Sequence, residues 1–274
     1  MFGIGYGVNR AVSLAASWME LTPDTSKPVP PGTERASVRE LSEQMARPGG
    51  LTSEDLVIFL QERIRKRDPA LNAIIELNPQ ALEIARELDR ERASGTVRGP
   101  LHGIPVLLKD NIETGDTQQT SAGAFGLVGA AAIKDAFIVE RLRQQGAVIL
   151  GKTNLTELAG FRGGPDGFSH RGGQTLNPHQ ADAQVGGSSS GSAVAVAAGL
   201  APLAVGTETN GSIVVPDTPG WGCDPIEEKM KNAPDKGYEI GVVIGTYLPF
   251  LVLIIIAYTT FFYLKKKEKN KPEN

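Results

Sequence analysis

The stretch Gly186-Gly187-Ser188-Ser189-Ser190-Gly191-Ser192 runs straight into Ala193-Val194-Ala195-Val196-Ala197-Ala198, and Gly206-Thr207-Glu208-Thr209-Asn210-Gly211-Ser212-Ile213 follows shortly after. A flexible Gly/Ser linker is solvated and flanked by polar sequence. Here the run opens directly onto small apolar residues, so its glycines and serines read as a packed turn rather than a tether. Two serine-rich turns are thus joined by one buried helix and one strand.

Outward from this stretch, helices alternate with short apolar strands. One helix is expected from Thr52, with Asp55 reaching back as in a capping box and Leu56, Phe59, Leu60 and Ile64 on one face. A second begins at Asn78 and Pro79, buries Ala81, Ile84, Ala85 and Leu88, and stops at Gly95. A third begins at Asp135, buries Ile138, Val139 and Leu142, and ends at Gly146. The runs Ile104 to Leu108 and Ala147 to Leu150 are continuously apolar and bounded by Gly or Pro, which suits strands covered on both faces. Helices over such strands give an α/β layer architecture.

Two motifs compete for the chemistry. Gly146-Ala-Val-Ile-Leu-Gly-Lys-Thr fits a phosphate loop by its letters, but that motif needs a strand before its first glycine and a loop after it. Here a helix precedes Gly146 and a strand fills the gap. Gly187-Ser-Ser-Ser-Gly fits a nucleophile elbow centred on Ser189, which requires a later acid and then a histidine. No histidine follows His179, so that reading fails on chain order.

Together with Gly99-Pro-Leu-His-Gly-Ile-Pro-Val-Leu-Leu-Lys-Asp-Asn-Ile and Gly151-Lys-Thr-Asn-Leu-Thr-Glu-Leu, the serine-rich turns closely resemble the amidase-signature family over roughly Leu51 to Pro216. The resemblance implies an α/β, mixed-sheet fold with covering helices, of which this chain carries the N-terminal part. It also implies a Ser-cisSer-Lys triad hydrolysing a small-molecule amide without metal or cofactor. Ser212 matches the nucleophile, Ser188 the bridging serine with a cis peptide bond, and Lys109 the general base. The backbone amides of Thr209, Asn210, Gly211 and Ser212 match the oxyanion hole.

The residue types suit those roles on physical grounds. A serine hydroxyl is a weak nucleophile until a base takes its proton, and a lysine serves as that base only when neutral. Burial disfavours the ammonium form, and Lys109 follows the apolar run from Ile104. The resemblance stops four residues after Ser212, where family members continue into the rest of the sheet and the acyl pocket. A second expectation is therefore a catalytically silent, membrane-anchored protein with an amidase-like scaffold.

The remaining sequence bounds partners and organisation. A formal net charge of −3 gives no basic footprint for nucleic acid. Cys223 is the single cysteine, and His102, His170 and His179 lack the spacing of a zinc helix, so a structural metal is not expected. The N-terminal segment offers no convincing secretory signal. Pro28, Pro30, Pro31 and Gly32 read as a linker, with ordered structure starting near Ser37. All fifteen arginines lie before Pro216, whereas eight of the thirteen lysines lie after it, which suggests a junction near Asp217 to Gly222.

Beyond it, Ile240 to Leu264 is uncharged and as a helix spans about 37 Å, enough for a hydrocarbon core of about 30 Å. Lys265, Lys266 and Lys267 close it as a stop-transfer block. The expected organisation is an N-terminal segment (1–36), an amidase-signature domain (37–216), a linker (217–239), a transmembrane helix (240–264) and a basic tail (265–274). Lysines after the span favour a cytoplasmic tail, whereas the lack of a signal favours a cytosolic domain. The latter is preferred, because the flanking charge difference is small and translocating a large N-terminal domain requires a signal. A further hint is that a lumenal domain would expose Asn154-Leu-Thr and Asn210-Gly-Ser to glycosylation.

Overall fold

A computed structural model describes residues 28–129, 132–161, 163–180 and 182–215. In chain order these form α1 (Val38–Met45), α2 (Ser53–Arg67), β1 (Ile74–Leu77), α3 (Ala81–Ala93), β2 (Pro105–Lys109), α4 (Phe137–Gln144), β3 (Val148–Thr153), β4 (Phe168–Ser169), β5 (Gly173–Gln174), α5 (Ser190–Ala197) and β6 (Leu203–Val205). The main sheet has the order β1-β3-β2-β6. Strand β2 runs parallel to both β3 and β6, with Val106 opposite Ile149 and Leu107 opposite Ala204, while β1 closes the other side antiparallel to β3. The α/β class and the mixed sheet expected from the sequence are present.

Strand alternation divides the core into two layers. Leu107, Val148 and Leu150 join Leu41, Leu56, Leu60, Ile64, Ala85, Leu88 and Val194 on one face of the sheet. Val106, Leu108 and Ile149 meet Val139 and Leu142 of α4 on the other. Because both faces are covered, β2 is buried along its whole length, and its last residue is Lys109.

Several local expectations need correction. Thr52 caps α2 by accepting from Asp55 N–H at 3.0 Å, but the first amides of the helix, Ser53 and Glu54, donate to Asp89 Oδ1 and Oδ2 of α3, each at 2.9 Å. The reciprocal bond from Asp55 back to Thr52 N–H is not formed, and the neighbouring helix α3 supplies a carboxylate to the next two amides instead. The full capping box is one helix earlier, where Ser37 N–H donates to Glu40 and Glu40 N–H to Ser37 Oγ.

Helix α4 starts at Phe137 rather than Asp135, because the Asp135 carboxylate is tied to Gly115 N–H and Arg143 Nε. Ile138 is 44% exposed rather than buried. Phe59 and Ile84 are half-buried at the edge of the core. The proline run is not a bare linker either: Thr33–Arg35 forms a 3-10 turn and Val29 packs on the core.

Strand β3 continues through Gly151, Lys152 and Thr153, so the phosphate-loop pattern has no loop. Lys152 is fully buried and donates to Ile112 O at 2.5 Å and Thr120 Oγ1 at 3.2 Å. The expected junction at 217–222, the transmembrane run 240–264 and the basic tail lie outside the described residues. Among those described, no helix is long and apolar enough to cross a membrane.

Candidate active site

The end of β2 places Lys109 at the centre of a buried hydroxyl cluster. Its side chain is fully buried, and Nζ donates to Ser188 Oγ at 2.7 Å, Ser189 Oγ at 3.0 Å and Thr207 O at 3.1 Å. Burial pushes the amine down to about 8, while the negative charge of Glu208 pulls it partly back. The amine therefore reaches its neutral form at a lower pH than a solvated lysine does.

Ser188 lies in the turn that enters α5, and the Gly187–Ser188 peptide bond is cis. Glycine is required before it: a Cβ on Gly187 would meet Thr156 Oγ1 at 2.3 Å and Asp166 Oδ1 at 2.5 Å. Thr156 N–H donates to Ser188 O at 3.1 Å and fixes the turn against the end of β3. Ser188 Oγ then reaches Ser212 Oγ at 3.0 Å. Lys109, Ser188 and Ser212 thus form one continuous hydrogen-bonded chain. Hydroxyl hydrogens rotate freely, so the same heavy atoms can pass a proton from Ser212 towards Lys109 once the amine is neutral.

The turn carrying Ser212 follows β6. Thr209 and Asn210 are exposed, while Gly211 and Ser212 are half-buried. Gly211 adopts a φ of +75°, a value that suits glycine, and its N–H donates to Glu208 Oε1 at 3.1 Å. Among the described residues, the amides of Thr209, Asn210 and Ser212 donate to no protein group. Three of the four amides matched to the oxyanion hole are therefore unpaired, and the fourth is engaged.

Sequence reasoning passed over several residues of this region. Ser189 accepts from Lys109, donates to Thr207 O at 3.1 Å, and through its N–H holds Ser212 O at 2.9 Å. A run of three serines gives no sign of which hydroxyl faces the lysine. Asn111 donates to Thr207 Oγ1 at 2.9 Å, tying the Lys-Asp-Asn block to the second turn.

Beside Lys109, the fully buried Asp110 accepts from Ser121 Oγ at 2.5 Å, Gly123 N–H at 3.0 Å and Arg171 at 3.4 Å. Burial pushes its carboxyl up, and the Arg171 guanidinium opposes that. Arg171 also pairs with Glu76 of β1. These partners are far apart in sequence, and only the sheet brings them together.

A cavity of about 490 Å³ runs between α5 and β6, lined by Ala193, Val196, Ala197, Leu203 and Ile213; it touches Ser189 but none of Lys109, Ser188 and Ser212. The hydrogen-bonded chain Lys109–Ser188–Ser212 thus lies outside the lining of this cavity. Among the described residues, no group of three His, Cys, Asp or Glu side chains could hold a metal ion.

Comparison with known proteins adds to this geometry. A family model described as Amidase matches residues 55–217. The chain is 52% identical to a protein of Arabidopsis thaliana named as a probable amidase, over 61% of this chain and 33% of that protein. It is similar to the crystal structure of the peptide amidase from Stenotrophomonas maltophilia, with a TM-score of 0.64 and 53% identity over 68% of this chain and 38% of that one. An amidase family protein from Bacillus anthracis gives a TM-score of 0.69 at 40% identity, covering 76% and 42%. The chain spans about a third of the length of the curated relatives it matches.

Proposed function

The chain belongs to the Amidase family, and from that premise we propose that it hydrolyses the C–N bond of a small-molecule carboxamide with Ser212 as nucleophile, Ser188 as bridge and Lys109 as base. The observation that most supports this reading is the unbroken chain from the wholly buried Lys109 through Ser188 to Ser212.

Neutral Lys109 takes a proton from Ser188 as Ser188 takes one from Ser212, and Ser212 Oγ bonds to the amide carbon. The oxyanion so formed is met by the amides of Thr209, Asn210 and Ser212, while Gly211 N–H stays on Glu208. Each such donor typically supplies roughly 3–4 kcal/mol in related sites. Ser188 then gives its proton to the departing nitrogen, regains one from Lys109, and the C–N bond breaks to leave an acyl ester on Ser212. Water, deprotonated along the same path, displaces the acyl group as the carboxylic acid.

The test is ammonia release from a C-terminally amidated peptide by the purified chain, a probe suggested by the similarity to a peptide amidase. Turnover that disappears in Ser212→Ala supports the reading; turnover that persists in that variant overturns it.

The half-exposed Ser212 turn favours a second reading, a catalytically silent protein of the same fold. An inert wild-type chain that is folded would select it. The uncharged run Ile240 to Leu264 further supports a single-pass anchor. The lysines behind it pull the tail towards the cytoplasm, but the lack of a convincing signal for translocating the amidase-like part favours leaving that part cytosolic. Protease digestion of that part from the extracytoplasmic side of vesicles of known orientation would reverse the topology.

A further inference from the structure

Glu208 lies four residues before Ser212, and its carboxylate gathers the backbone on both sides of that serine. Oε1 accepts from Gly211 N–H at 3.1 Å, and Oε2 accepts from Ile213 N–H at 2.7 Å and Val214 N–H at 3.0 Å. The Ser212 carbonyl is held separately by Ser189 N–H at 2.9 Å, and its hydroxyl meets Ser188 at 3.0 Å. The amides of Gly211, Ile213 and Val214 and the carbonyl of Ser212 are thereby held, while the amide of Ser212 is left open.

We propose that Glu208 is a positioning residue for the nucleophile, fixing Ser212 by drawing the amides of Gly211, Ile213 and Val214 onto one carboxylate. The proposal rests on the reading of Ser212 as nucleophile.

Three considerations carry it. Hydrogen bonds to an ionised acceptor are shorter and stronger than neutral ones, and an ionised carboxylate only accepts, which matches three converging donors. Those bonds hold the Glu208 carboxyl below its usual range, so it stays ionised at neutral pH. Ile213 and Val214 are 38% and 61% exposed, so burial contributes little here, and the carboxylate adds three bonds to those of Val215 N–H to Gly211 O and Ser189 N–H to Ser212 O. Holding Gly211 N–H also sets which amides face the oxyanion, leaving those of Thr209, Asn210 and Ser212 open.

The experiment uses the full chain as wild type, Glu208→Ala and Glu208→Gln, with two readouts. Amide hydrogen exchange at Gly211, Ile213 and Val214 tests the clamp without needing turnover: exchange should accelerate by roughly tenfold or more in Glu208→Ala, as expected where local opening becomes easier. Unchanged exchange at all three would overturn the proposal. Labelling of Ser212 by a fluorophosphonate tests the consequence. Its rate should fall roughly 100-fold in Glu208→Ala, the loss that about 1 Å of misplacement causes. Glu208→Gln, which keeps an acceptor oxygen, should recover part of that rate. Labelling at the wild-type rate in Glu208→Ala, with its melting temperature unchanged, would also overturn it. A wild-type chain that is neither labelled nor active contradicts the hydrolase reading instead, and the exchange readout still decides the clamp.

Discussion

At the scale of single residues, Lys109 carries the account. Its amine is lowered to about 8 by burial, so the neutral, base-competent fraction grows as pH rises through that value. Turnover should therefore rise between pH 7 and 9, and a rate that is flat or falling across that window would remove Lys109 from the role of base. Lys109→Ala should lower kcat by about 10²–10⁴-fold with little change in KM, the usual contribution of a general base.

The same shift has a sign for stability. The folded pKa lies below the unfolded one, so the unfolded chain binds more protons, and the penalty is present in full below pH 8 and fades as pH rises towards 10.5. That penalty is about 3 kcal/mol. Lys109→Met should thus melt higher than wild type at pH 7, with the gap closing towards pH 10, as paired thermal melts would show. This lysine was singled out by the resemblance of the block around it, and its apolar approach agrees with its burial. Ser189 and Glu208 were not, because a serine run and an acidic turn residue look alike whether or not they meet the site.

At the scale of elements, the ends of the sheet decide whether the site is held. Arg171 is 10% exposed and bridges Glu76 of β1 to Asp110 at the end of β2. Removing one partner of such a buried cluster typically costs 3–5 kcal/mol, whereas an exposed pair is worth about 0–1. Arg171→Met should therefore lose about 3–5 kcal/mol in urea unfolding, while Arg65→Met, whose pair with Glu62 is 44% exposed on the arginine side, should lose less than about 1 kcal/mol. Equal losses would show that the Arg171 bridge does not hold the sheet ends.

Gly191 allows α5 to press against β3: a Cβ there would meet Asn154 O at 2.3 Å and Ala73 O at 2.5 Å. Gly191→Ala should shift Ser188 and lower kcat; turnover at the wild-type level would show that the helix gives way without moving the site.

Helices α2 and α3 were legible because their apolar stripes follow helical spacing. Ile138 was misread because the same spacing does not say which face a short helix turns to solvent. Strands β1 and β6, with four and three residues, are too short to carry a period.

At the scale of the whole molecule, three sequence blocks distant in the chain meet at one end of a parallel strand pair. Their order and spacing made the family legible, and the sheet supplies the contact. What the sequence left open was the interlocking of the blocks: Asn111 with Thr207, Thr153 with Ser192 and Asp110 with Arg171 join positions at least 39 residues apart. No local pattern encodes such pairs.

The most direct test of the central claim is peptide-mapping mass spectrometry of the chain, acid-quenched during steady-state turnover of an amide so that the acyl ester formed on the enzyme is preserved. The account predicts an acyl adduct on Ser212, absent in Ser212→Ala and strongly reduced in Lys109→Ala. Ammonia release accompanied by an adduct on another residue, or by none on Ser212 under conditions where deacylation limits the rate, would contradict it.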